Sequence, residues 1–155
     1  MAPGTDMLHI EKVVSNPFSL TGKEKDVLDI EWYETEKHLL RRSTRSGKEV
    51  AIRKNNRIPL EDGDVIWMDD SAYICINILP CECIVIRPAN MYEMGVVCFE
   101  IGNRHIPVCI EENRVSVAYE GALFTLLERG GFTPEIVEKK LLKPLRLLSR
   151  AMFKG

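Results

Sequence analysis

Three histidines, five cysteines and one short acidic run are the residues of this 155-residue chain whose chemistry could make a site. His105 stands in "FEIGNRHIPVCI", just past a glycine and just before an apolar, β-prone run. At such a junction an imidazole can be a metal ligand, a catalytic base, or a buried histidine with one hydrogen bond. Alone it supplies one nitrogen, too few to select a metal, so a satisfied structural histidine is the simpler reading of the residue in isolation. His9 and His38 fall in candidate strands without companion ligand types, and read as surface or half-buried residues.

Cys81-Glu82-Cys83 is a C-x-C. In a strand the two thiols point to one face and could grip a soft metal or act in redox chemistry. Structural zinc needs four ligands, commonly two separated pairs, and no second pair is present. Buried structural thiols are therefore the plainer account. Cys75, Cys98 and Cys109 lie in apolar runs and read as core. An odd cysteine count fits reduced thiols in a cytoplasmic protein. Glu61, Asp62 and Asp64 flank Gly63, the pattern of a solvated turn. Arg41, Arg42 and Arg45 read as a solvated strand face and turn. No Gly-rich phosphate loop and no nucleophile with a neighbouring histidine is visible, so an enzyme is not expected.

Elements to position these residues come in two blocks. Up to Leu79, short runs rich in Ile, Val, Tyr and Trp ("MLHIEKVV", "VLDIEWYE", "HLLRRST", "EVAIRK", "DVIWMDD", "AYICINIL") predict six strands. Gly47 and Gly63 supply tight turns. After Pro80 comes one strand, "CIVIRP", and then helix signals. Asn90 with Glu93 resembles a capping box. Met91, Met94, Cys98 and Ile101 trace one helical face, and Gly102 fits a left-handed stop. Two strands around Asn113, a helix over 121–129 stopped by Gly130-Gly131, and a strand within 136–142 complete the order β-α-β-β-α-β. Arg104 is expected to pair with Glu100, with contact to a partner as the alternative, and Asn103 to bond locally to the backbone. The fold class is thus α+β. A small all-β domain over 1–79, a twisted two-sheet sandwich, precedes a ferredoxin-like βαββαβ domain over 80–155.

Composition agrees with a packed protein, at 45 % hydrophobic and 28 % charged residues. The net charge of -2, with signs interspersed, gives no pull toward nucleic acid. No apolar run approaches the ~20 residues that cross a bilayer, and no signal peptide is visible at the start, so neither membrane nor export is expected.

The stretch "MYEMGVVCFEIGNRHIPVCIEENRVSV" resembles the central segment of the UreE family of urease accessory proteins, nickel metallochaperones. The GNRH motif in its β-α-β-β context carries the likeness. "LDIEWYETEKHLLRRSTRSGKEVAIR" and "LEDGDVI" are similar to that family's N-terminal β-module. The resemblance implies a peptide- or partner-binding β domain and a metal-binding ferredoxin-like domain. It also implies a homodimer, or a dimer of dimers, with nickel held at the two-fold axis by His105 of each subunit. Zinc is the alternative ion. The implied partners are the urease accessory GTPase and apo-urease, in the cytoplasm.

A two-fold axis answers the shortage of ligands, because a residue near it meets its own copy. Binding to neutral imidazole competes with protons, so release is expected as pH falls through imidazole's ordinary range, about 6–7. Some members carry a His-Asp-His cluster after this motif. Here Tyr119-Glu120-Gly121 stands there, and no histidine follows position 105. A minimal site is therefore expected, about one metal per dimer, or one per tetramer if dimers associate, with the chain after Lys143 folding near it as the family implies. The rival classes are a protein-interaction module without metal and a thiol-based soft-metal or redox protein using Cys81 and Cys83.

Overall fold

The computed structural model describes residues 6–15, 17 and 19–145. It divides into two compact units, at Leu79 and Pro80. Among the described residues no helix is long and apolar enough to cross a membrane.

The first unit holds two three-stranded sheets. One is ordered β1-β4-β3, from Leu8–Ile10, Glu49–Arg53 and Leu39–Ser43. The other is ordered β2-β6-β5, from Glu24–Ile30, Ala72–Ile78 and Val65–Met68. Period-two alternation decides which face is buried. Leu28 lies opposite Ile76, Ile30 opposite Ile78 and Leu40 opposite Ile52, and all six are buried. Between them, Arg41 lies opposite Ala51, which also faces His9; Arg41 and His9 are exposed. Gly47 and Gly63 take the positive φ expected of turn glycines, at 97° and 88°.

Three details differ from expectation. The first strand is only Leu8–Ile10. Trp32–Glu34 forms a 3-10 turn instead of continuing a strand, because Glu34 and Glu31 cap it reciprocally. Arg42 then closes on the buried Glu34 carboxylate. His38 sits in a bend before β3, not in a strand, its Nδ1 3.4 Å from the Lys54 carbonyl.

The second unit runs β7 (Cys81–Ile86), α1 (Met91–Asn103), β8 (Cys109–Glu111), β9 (Arg114–Ala118), α2 (Gly121–Arg129), β10 (Glu135–Lys139). Its sheet is antiparallel, in the order β10-β7-β9-β8. With β7 as the first of the four strands, that is the 4-1-3-2 order of a ferredoxin-like unit. Ile84, Ile86, Val115 and Val117 project from one face onto Val97 and Ile101 of α1 and Leu123 and Leu127 of α2. Fully burying one such side chain contributes about 1.5–3 kcal/mol, so this layer is what fixes both helices on the sheet.

Candidate metal centre

Helix α1 starts at Asn90, whose Oδ1 accepts the Glu93 N–H at 2.9 Å. The Glu93 carboxylate reaches back one residue further than a capping box does, to the Ala89 N–H at 2.8 Å. The helix end corrects the sequence reading. Gly102 lies inside the helix without a positive φ, and the left-handed residue is His105 itself, at φ 58°. The His105 N–H bonds to the Gly102 carbonyl at 3.0 Å, and the Ile106 N–H to the Ile101 carbonyl at 3.4 Å. Those two bonds define a Schellman motif with His105 at C′. Its customary apolar contact is present too, Ile106 packing against the cluster that contains Ile101.

His105 is exposed, not a buried structural histidine. Its side chain makes no hydrogen bond or ion pair among the described residues. Arg104, the C-cap residue at φ -93°, does not pair with Glu100; an i,i+4 pair needs both partners on the helix. No group of three or more His, Cys, Asp or Glu suited to a metal converges among the described residues. One chain therefore offers one imidazole.

The outer side of α1 was not legible from the face assigned to it. Met94, Cys98 and Ile101 turn toward the core, but Met91 does not. Met91, Tyr92 and Phe99 are 90 %, 80 % and 74 % exposed. With Gly95, Val96 and Glu100 they line one shallow depression. At 100° per residue, positions 91, 92, 95, 96 and 99 fill one arc and 94, 97, 98 and 101 the opposite one. The missed signal was apolar residues on both arcs, the mark of a helix buried on both sides. Gly95 sits mid-face, and a Cβ added there would meet nothing within 4 Å. Glycine in a helix interior costs about 0.5–1 kcal/mol, and nothing among the described residues uses the missing side chain.

The remaining candidates resolve as follows. Cys81 and Cys83 share a face, their Sγ atoms 3.6 Å apart. Cys75 and Cys109 are buried and Cys98 is half-buried. Burial pushes the Cys98 and Cys83 thiols up, and Cys109 up to about 11. The acidic run is a turn: Asp64 Oδ2 accepts the Glu61 N–H at 2.7 Å and Asp62 Oδ1 the Ile78 N–H at 2.8 Å. Arg45 makes a two-bond pair with Asp29, at 2.8 and 2.9 Å. The tail after Leu145 lies outside the described residues.

The family model "UreE urease accessory protein, N-terminal domain" matches residues 10–79, and that for the C-terminal domain matches residues 82–142. Similar relatives include the urease accessory protein UreE of Acetivibrio thermocellus, 40 % identical over 138 residues, spanning 88 % of this chain and 90 % of that protein. The UreE of Flavobacterium johnsoniae is 39 % identical over 127 residues, or 80 % of this chain and 76 % of its own length. That of Actinobacillus pleuropneumoniae is 37 % identical over 130 residues, or 82 % and 68 %. Fold and site thus define an α+β protein with a β-sandwich unit, a ferredoxin-like unit and an exposed imidazole at a helix end. The chain belongs to the UreE family of urease accessory proteins, an accessory family and not an enzyme family.

Proposed function

We propose that this chain is a nickel metallochaperone for urease maturation. It works as a homodimer with His105 of each subunit at the two-fold axis. The observation that carries this reading is the outer face of α1. It is apolar, has a glycine at its centre, belongs to the helix that ends at His105, and leaves that imidazole exposed and unpartnered. A second copy seated on this face would bury Tyr92 and Phe99 and use the close approach that Gly95 allows. His105 lies six residues beyond Phe99, about 9 Å along the helix axis. An isologous contact can therefore bring two copies of it together.

Neutral imidazole suits Ni(II) and also Zn(II), with Cu(II) intrinsically favoured over both. Two imidazoles leave coordination positions open to water, to the tail, or to a second dimer. An open site assembled between chains can also be emptied, as a carrier requires. The recipient is apo-urease in complex with the urease accessory GTPase, in the cytoplasm, and the first unit supplies contacts to those partners.

The test is titration of wild-type and His105→Ala protein with nickel and with zinc, with mass measured in solution. About one metal per wild-type dimer is expected, with the variant still dimeric but without stoichiometric binding. A monomeric wild-type protein, or unchanged binding by His105→Ala, rejects the two-fold site.

A further inference from the structure

The sheet of the second unit has a face that the helices do not use. Alternation sends Ile84 and Ile86 toward the helices, and Cys81, Cys83 and Val85 the other way. On that face the two Sγ atoms are 3.6 Å apart. The Cys83 thiol, fully buried, donates to the Cys81 carbonyl at 3.3 Å and to the Lys139 carbonyl at 3.6 Å. Cys81 keeps partial exposure.

Lys139 lies on β10, one edge of the sheet, opposite Cys81. Its Nζ donates to Ser116 Oγ at 3.1 Å and lies 3.4 Å from Glu111 Oε1 on β8, the other edge. A lysine thus reaches over this face from one edge strand toward side chains of the other strands.

We propose that Cys81 and Cys83 form a two-thiolate clip for a soft monovalent cation of the Cu(I) class, separate from the imidazole site. Thiolates select Cu(I), which two sulfurs satisfy, whereas structural zinc takes four ligands. No group of three or more His, Cys, Asp or Glu suited to a metal forms among the described residues. On binding, each thiol gives its proton to solvent and two S–Cu bonds form, with no change of oxidation state. The complex carries one negative charge, on the same face as the Lys139 ammonium and the Glu111 carboxylate it pairs with. The spacing argues against a redox disulfide, since Cα atoms at i and i+2 of a strand lie about 6.6–6.8 Å apart, the far limit for a disulfide.

The proposal stands whether or not His105 holds nickel. Its test is anaerobic titration of the reduced full-length chain with Cu(I) against a chromophoric Cu(I) chelator. Wild type, Cys98→Ser and His105→Ala should each take one Cu(I) per chain. Cys81→Ser, at a half-exposed position, should lose more affinity than the about 10–100-fold that loss of an outer-sphere partner costs. Undiminished Cu(I) binding by a folded Cys81→Ser overturns the site. A measurement without mutation accompanies it: phenylarsine oxide, which bridges paired thiols, should block Cu(I) uptake and map by mass spectrometry to the peptide holding Cys81 and Cys83. Reaction elsewhere, or Cu(I) uptake after labelling, also overturns it.

Discussion

Helices α1 and α2 lie on one face of one sheet and end in the same motif, yet they are built differently. In α2, Leu123 and Leu127 are buried, while Ala122, Thr125, Glu128 and Arg129 are exposed. It has one apolar side. In α1 both sides are apolar, and the outer one is bare. The ends differ in the same sense. After α2 the Gly131 N–H bonds to the Glu128 carbonyl and the Phe132 N–H to the Leu127 carbonyl, both at 3.1 Å. That repeats the pair of bonds made by His105 and Ile106. The left-handed residue is glycine after α2, at φ 88°, and histidine after α1, at φ 58°. A side chain in that region costs about 1–2 kcal/mol, although histidine is among the residues that tolerate it better. Glycine is not the sole choice for this conformation here, since Glu112 and Lys143 also take positive φ, both at 51°. A histidine at C′ is what the metal-binding role proposed for His105 calls for, and the turn alone does not require it.

The largest effect is expected from breaking the asymmetry of the outer faces. Phe99→Glu puts a carboxylate in the centre of the face proposed to meet a second copy. An uncompensated buried charge costs about 3–5 kcal/mol, so dimer affinity should fall by at least about 10²- to 10⁴-fold. Stoichiometric nickel binding should fall with it. Thr125→Glu, on the outer face of α2, should leave both unchanged. Sedimentation across a concentration series reads the result. A Phe99→Glu protein as dimeric as wild type would show that the bare face has another purpose.

A smaller effect separates the two helix ends. A Cβ added at Gly131 would meet nothing within 4 Å, so Gly131→Ala carries only conformational strain. It should lower stability by about 1–2 kcal/mol in urea denaturation, with nickel binding intact. A neutral substitution would mean that the left-handed turn after α2 is not held in solution.

The same ends show what the sequence makes legible. The order β-α-β-β-α-β, both helices and the alternating strands follow from periodicity and punctuation, because burial on one face writes itself into spacing. Gly102 misled because glycine is the usual left-handed residue. Had it been C′, the closing apolar contact would join Cys98 to Asn103, which is polar. One turn later it joins Ile101 to Ile106. The contact, not the glycine, chose the stop. Likewise "VLDIEWYE" reads as one strand until Glu31 and Glu34 are seen capping each other. The outer face of α1 was hidden because Met91 was counted with Met94, Cys98 and Ile101, which come after it at spacings of three and four. His105 stood out as a candidate from its setting, but a symmetric partner is invisible in a single chain, and only the family resemblance pointed to one.

The smallest expected effect has the opposite sign, and it tests whether the histidine is held at a cost. His105→Gly removes the left-handed strain of about 1–2 kcal/mol and adds unfolded-chain entropy of about 0.5–1 kcal/mol. The net should be a metal-free protein more stable than wild type by about 0.5–1 kcal/mol. His105→Ala keeps a Cβ at φ 58° and should gain nothing. Both variants lose the imidazole, so both should lose nickel. Their difference in urea midpoint then isolates the backbone term from the ligand term. If glycine and alanine are equally stable at this position, the strain is not real. The choice of histidine over glycine would then carry no information about function.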